Sequence, residues 1–136
     1  MARPGSEYPT ELELEILKVL WEESPLLVRE VRQKLETGAG RTLAHSSVIT
    51  ILNIMHGKDF LHRQKEGKSF LFSPKVEKKD VTGGMMSDLL SRLFNGDPSA
   101  MVMNLLDTSD IDADELNELR KLINRKVKEQ KNESNL

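Results

Sequence analysis

Apolar residues recur at helical spacing along most of this chain and switch to strict alternation only once. Leu12, Ile16, Leu17, Leu20 and Trp21 share one face of a helix that Thr10-Glu11-Leu12-Glu13 opens. That tetrad has the form of a capping box. The Thr10 hydroxyl can accept from the Glu13 amide, and the Glu13 carboxylate can reach back to the Thr10 amide. The helix is expected to end near Glu22–Pro25. A second helix, about residues 27–36, puts Val28, Val31 and Leu35 on one stripe and leaves Arg29, Arg32 and Lys34 off it. Thr37-Gly38-Ala39-Gly40 breaks it. A third helix runs from Ala44 or His45 to Met55 or His56, with Val48, Ile51, Leu52 and Met55 as its apolar face. Ser46 or Ser47 can serve as its N-cap, and Gly57 stands where a left-handed C-cap is expected. Alternation then appears in Phe60–Gln64 and Ser69–Ser73, on either side of Lys65-Glu66-Gly67-Lys68. This is a hairpin signal, with Phe70 and Phe72 on one face, Ser69 and Leu71 on the other, and Pro74 closing it.

Beyond Pro74 the helical period returns. Lys75–Asp80 reads as a charged joint. Met85, Met86, Leu89, Leu90, Leu93 and Phe94 then form a wide stripe that Asn95-Gly96 ends. Asp97-Pro98 supplies an N-cap and a first-position proline for a short helix with Met101, Val102, Leu105 and Leu106. Asp112-Ala113-Asp114-Glu115, a second capping box, starts a last helix with Leu116, Leu119, Leu122, Ile123 and Val127 on its stripe. Lys121, Arg125, Lys126 and Lys128 suit the negative end of its macrodipole. Stripes so wide on short helices cannot cover one another within one chain, so a partner chain is expected to complete the core. Met85, Leu89, Leu93, Leu105, Leu116, Leu119 and Ile123 are the candidate dimerisation residues. The expected organisation is a flexible arm (1–9), a helix–helix–helix–hairpin domain (10–74), a helical dimerisation domain (75–130) and a frayed tail (131–136).

Composition removes several function classes. The chain has 136 residues, and only 4% are aromatic, so its core must be aliphatic. Cysteine is absent, which excludes disulfides, thiolate metal sites and cysteine nucleophiles. No apolar stretch approaches the roughly 18 residues of a membrane span, so no membrane insertion is expected. Met1–Ser6 holds no apolar signal segment, so the expected location is the cytoplasm. His45, His56 and His62 give no i, i+4 pair and no neighbouring carboxylate cluster, so neither a metal nor any other cofactor is expected. Gly38-Ala39-Gly40 lacks the third glycine and the following Lys-Ser/Thr of a phosphate loop, and there is no Gly-x-Ser-x-Gly elbow. An enzyme is therefore not expected.

The formal net charge of −2 argues at first against a polyanionic partner. Its distribution argues otherwise. From Leu26 to Lys68 eight bases stand against four acids, a local charge of +4, and all three histidines fall there too. The acids gather in residues 7–23 and 107–118. Solvated surface scatter would give such local excesses as well, so charge alone does not decide.

The order of elements decides more. Three helices and a hairpin make a winged helix-turn-helix, so the expected fold is mainly α with a small β-hairpin wing, plus a C-terminal helical dimerisation lobe. In this arrangement the third helix enters a major groove and the hairpin lies along the backbone. The third helix opens with His45, Ser46 and Ser47, and Thr50 and Asn53 continue its outer face. These short polar side chains can donate to base edges or phosphates without holding the helix off the groove. Arg63, Lys65 and Lys68 at the wing, with Arg41 before the helix, suit phosphate contact. Taken singly, the serines would be caps and the wing cations a solvated turn. Their convergence on one basic unit favours double-stranded DNA as partner. Trp21 is expected to lie in the core beneath.

These stretches resemble the penicillinase-repressor family (BlaI/MecI/CopY) of bacterial winged-helix repressors. The resemblance rests on Thr10–Trp21, Val28-Arg29-Glu30-Val31, Ser46–Leu52, Leu89–Ala100 and Asp114–Leu119, and it spans roughly residues 10–127. The family often has two threonines where this chain has Ser46 and Ser47. The resemblance implies a homodimer that represses transcription from an inverted-repeat operator with TACA/TGTA-type half-sites. In antibiotic-responsive members a membrane sensor detects β-lactam, and the repressor is then cut after an asparagine in its dimerisation lobe. Asn104-Leu105 lies where that cut would fall, although family examples carry an aromatic residue in place of Leu105. A sensor protease is thus an implied partner. Copper-responsive members carry a C-terminal cysteine cluster that this chain lacks. Two other readings keep the winged helix. One is a MarR-like regulator released by a small molecule held by Met85, Met86, Met101 and Met103, although methionines at this spacing are more often core filler. The other is a protein-binding winged helix with no DNA function.

Overall fold

The computed structural model describes residues 8–134. Its elements, in chain order, are α1 (Glu11–Glu22), β1 (Leu26–Leu27), α2 (Val28–Ala39), α3 (His45–Gly57), β2 (Leu61–Glu66), β3 (Ser69–Pro74), α4 (Lys78–Phe94), α5 (Pro98–Thr108) and α6 (Ala113–Ser134). The fold is mainly helical with one small antiparallel sheet of order β1-β3-β2. It is a winged helix-turn-helix followed by further helices. Among the described residues, no helix is long and apolar enough to cross a membrane.

The chain divides into two compact units within α4, after Asp88. The expected boundary at residue 75 falls earlier because the segment after the wing is tied back. Trp21 Nε1 donates to the Val76 carbonyl oxygen at 2.9 Å, and Gly84 lies so close to Tyr8 that a Cβ there would stand 3.0 Å from its ring. The charged joint is also shorter than expected, since α4 begins at Lys78. The expected arm falls mostly on residues 1–7, outside the described residues. The tail differs from expectation: α6 continues as a helix through Ser134, beyond the point where fraying is expected at Lys131.

In the first unit the core is aliphatic with two phenylalanines. Ile16, Leu17 and Leu20 of α1 meet Val31 and Leu35 of α2, Val48, Leu52 and Met55 of α3, and Leu26, Phe60, Leu61 and Phe72. Burying each such side chain contributes about 1.5–3 kcal/mol. Trp21 is only half-buried and packs at the margin of this cluster. The sheet has a strand that hydropathy does not reveal. Leu26 and Leu27 pair with Phe72 and Leu71, so the wing is anchored at the start of α2. Leu27 has no side-chain oxygen to cap α2. The Glu30 carboxylate instead accepts the Leu27 backbone N–H at 2.8 Å. The hairpin register pairs Glu66 with Ser69, so its loop is only Gly67-Lys68. Gly67 takes φ 61, which suits glycine at the first loop position of a primed turn.

Three expected capping signals at helix starts are present, the box at α6 with one of its two hydrogen bonds. At α1 the Thr10 amide donates to Glu13 at 2.8 Å and the Glu13 amide to the Thr10 hydroxyl at 3.2 Å. At α6 the Asp112 carboxylate accepts the Glu115 amide at 2.9 Å, and at α5 Asp97 accepts from Ser99 at 3.0 Å with Pro98 following it. The end of α3 differs from expectation. Gly57 is helical, and Asp59 takes the left-handed conformation instead, with φ 67. The Phe60 amide then returns to the Met55 carbonyl at 3.0 Å, which turns the chain from α3 into the wing.

Glu13 has a second role that its capping motif conceals. Its side chain is buried, and its other oxygen accepts from Lys58 Nζ at 2.9 Å, which joins the start of α1 to the end of α3. Truncation would strand the Lys58 ammonium in a largely desolvated place and remove half of the capping box. Glu13→Ala is expected to lower unfolding stability by about 3 kcal/mol. Urea denaturation of the two proteins checks this, and a loss well under about 1 kcal/mol, the scale of an exposed pair, would contradict it.

Candidate nucleic-acid interface

The inner face of α3 is wholly committed to the core: Val48, Leu52 and Met55 are each 0% exposed. Its outer face is free. His45, Ser46, Ser47, Thr50 and Asn53 are all exposed. The N-cap is Ala44, whose carbonyl accepts the Ser47 and Val48 amides at 3.0 and 3.1 Å. Ser46 and Ser47 are therefore not caps. They occupy the second and third helical positions with their side chains outward. No acidic residue sits in the first turn, so the positive end of the helix dipole is not offset locally.

Thr50 differs from a simple donor. Its hydroxyl donates to the Ser46 carbonyl at 2.9 Å, so its proton is spent inside the helix. Toward solvent it presents lone pairs and a methyl group. Ile49, beside it, is an apolar residue left 37% exposed on the same helix.

The wing is braced against α3. Arg63 on β2 donates from Nη1 to Asn53 Oδ1 at 3.0 Å, and its guanidinium lies 4.6 Å from the centroid of the Phe70 ring. A cation–π contact and a hydrogen bond thus hold one side chain in place between helix and wing. Lys65 and Lys68 are exposed at the wing tip. Arg32, which sequence patterning does not single out, donates to the Leu43 carbonyl at 2.7 Å and fixes the segment leading into α3.

Arg41 is placed differently from expectation. Gly40 turns the chain in the left-handed region, and Arg41 then meets α1, with Nε 2.7 Å from Glu15 and a longer contact of 3.7 Å to Glu11. Its charge is neutralised by residues 26 and 30 positions earlier, a pairing that local sequence does not display. Lys34 is likewise paired with Glu23 at 2.8 Å, and the hydrogen bond and charge of Glu23 raise its pKa above the ordinary lysine value. Lys58 is paired with Glu13. Three bases of the positive segment thus answer to glutamates on and just after α1. Exposed positive charge remains at the wing, on Arg63, Lys65 and Lys68, and on α2, at Arg29 and Arg32.

The second unit presents a different surface. No residue of α4, α5 or α6 is buried. Leu89, Leu93, Leu105, Leu116, Leu119 and Ile123 are all at least 38% exposed, while Met85, in the first unit, is half-buried. Met101 is half-buried, and Met86 and Met103 are exposed. Asn104 is exposed within α5, and its carbonyl accepts the Thr108 hydroxyl at 2.7 Å.

A family model described as Penicillinase repressor matches residues 9–125, which includes every element from α1 to α5 and much of α6. The chain belongs to the penicillinase repressor family. Over 114 residues it is 29% identical to the penicillinase repressor of Bacillus licheniformis, covering 84% of this chain and 88% of that protein. It is 22% identical to the methicillin resistance regulatory protein MecI of Mammaliicoccus sciuri, over 84% of this chain and 91% of that one. Among solved structures, the chain is similar to RosR of H. salinarum in its hsRosR-S4 complex, with a TM-score of 0.54, 17% identity, and coverage of 96% and 99% of the two chains. That likeness concerns the fold. The monomeric form of B. licheniformis BlaI in complex with the blaP half-operator matches with a TM-score of 0.44 and 29% identity, over 53% of this chain and 85% of that one. Membership of the penicillinase repressor family agrees with the resemblance carried by Thr10–Trp21 and Ser46–Leu52.

Proposed function

We propose that this penicillinase repressor family member represses transcription as a homodimer bound to an inverted-repeat DNA operator. The observation that carries the reading is the outer face of α3, with Ser46 and Ser47 free of capping duty beside the Arg63–Asn53 brace. Short polar side chains at the start of a helix suit a major groove, and the unneutralised dipole suits the phosphates that flank it. Ser46 and Ser47 read bases, His45 lies at the edge of the groove, and Lys65 and Lys68 meet the backbone. Arg63 holds the wing in register. Arg41 serves as a strut to α1.

Support for the dimer comes from the second unit, where apolar residues on α5 and α6 lie exposed and none is buried. A second copy is the occupant that supplies matching apolar stripes, and a two-fold axis through them makes the operator an inverted repeat. Release comes with loss of that dimer, because two linked half-site contacts bind far more tightly than one. A sensor protease acting at Asn104-Leu105 would achieve this. It must first unwind α5 locally, since proteases take extended backbone and Thr108 here closes a helical turn onto the Asn104 carbonyl.

Lys65→Ala tests the wing. It should weaken binding to operator and unrelated duplexes by similar factors and lower the slope of log affinity against log salt by about 1 per neutralised phosphate. Fluorescence anisotropy across a salt series measures both. An unchanged slope would remove Lys65 from the contact.

A further inference from the structure

We propose that Ile49, with the methyl group of Thr50, is a specificity-determining contact that reads the 5-methyl group of thymine in the major groove. The proposal rests on the DNA-binding reading of α3 and deepens it. Two independent features of the helix lead to it. Ile49 is 37% exposed, on a helix whose Val48 and Leu52 are 0% exposed and whose Ile54, nearer its end, is also exposed at 45%. A β-branched apolar side chain therefore sits one turn into the helix beside the polar residues Ser46, Thr50 and Asn53, nearer its start than Ile54. Second, the Thr50 hydroxyl proton is consumed by the Ser46 carbonyl at 2.9 Å. Thr50 has no proton left to donate to guanine or to the thymine carbonyl, so toward those bases it offers its methyl, while its lone pairs can accept only from adenine or cytosine amino groups.

The major groove holds one apolar feature that an isoleucine can recognise. Adenine, guanine and cytosine present donors and acceptors there, whereas thymine adds a methyl group. Ile49 gains by covering that methyl and loses by desolvating the polar edges of the other bases without replacing their hydrogen bonds. Its position, one turn into α3, lies beyond the polar first turn, so the helix reads polar edges with Ser46 and Ser47 and a methyl with the next turn. The Asn53 side chain does not compete for this role, since its carbonyl oxygen is held by Arg63 at 3.0 Å.

The test alters the DNA as well as the protein, so that folding is not at issue. The probe is the tightest duplex that the intact protein selects from random-sequence DNA, made again with thymines replaced singly by deoxyuridine. Deoxyuridine keeps every hydrogen-bonding group and lacks only the methyl. For the unaltered protein, replacement at one thymine in each half-site is expected to lower affinity by about four-fold per methyl removed, the ratio for burying one such group. Ile49→Ala should bind the thymine duplex more weakly and show no further loss with deoxyuridine at those positions. Ile49→Val, which keeps a branched apolar side chain, should restore sensitivity. Equal binding of thymine and deoxyuridine duplexes by the unaltered protein would overturn the proposal while leaving DNA binding intact. So would full sensitivity persisting in Ile49→Ala. A selection that enriches no sequence would instead overturn the DNA-binding reading on which it stands.

Discussion

Ser47→Glu is expected to abolish sequence-specific DNA binding while the protein stays as stable as before. The two halves of this expectation have different causes. Ser47 is the third residue of α3, and Ala44, not Ser47, is the N-cap. A glutamate at that position interacts favourably with the helix dipole and takes no hydrogen bond from the fold. Ser47 is exposed, so the larger side chain displaces no core. In the complex the same carboxylate would enter a groove lined by phosphates and acceptor-rich base edges, where like charge costs several kcal/mol. The loss should exceed about 100-fold, within the margin that separates specific from non-specific binding. Anisotropy with a selected duplex, beside thermal unfolding of both proteins, measures it. Unchanged affinity would remove α3 as the reading helix. A fall in unfolding temperature that accounts for the loss would leave the assignment without support.

The second large effect is expected at the dimer surface. Leu119 lies on α6 with Leu116, Ile123 and Val127 on the same stripe, all of them exposed. An aspartate at position 119 would bury a charge between two copies, with no base on the stripe to pair it. Leu119→Asp should convert a dimer into 15.5 kDa monomers in sedimentation. Operator affinity should fall by about 100-fold or more as avidity is lost, while the α1–α3 core and the wing remain folded. A dimer that persists would place the interface on another surface, and the account of release would go with it.

Much of this architecture was legible because its signals are local. The Thr10–Glu13 box, the Asp97-Pro98 start and the alternation around Gly67 each depend on residues within a few positions. The features that escaped depend on partners distant in the chain. Leu26 and Leu27 become a strand only because Phe72 and Leu71 arrive beside them. Glu13 is a cap in sequence and a buried ion-pair partner in the fold, because Lys58 closes over it. Arg41 has the composition of a phosphate contact but is held by Glu15. The net effect on the site is a sharpening. The positive segment of the sequence is partly cancelled by α1, and what remains exposed lies at Lys65, Lys68 and the braced Arg63 on the wing and at Arg29 and Arg32 on α2. Ser46 and Ser47, which taken singly read as caps and together with the basic wing as DNA contacts, are relieved of capping by Ala44.

Selection from random-sequence DNA by the intact protein, read by sequencing the bound fraction, tests the central claim most directly. The account predicts a two-fold symmetric motif whose half-sites lie about 34 Å apart or a multiple of it, as two recognition helices related by a dimer axis require. No enrichment at low salt, or a single asymmetric site bound with full affinity, would contradict it.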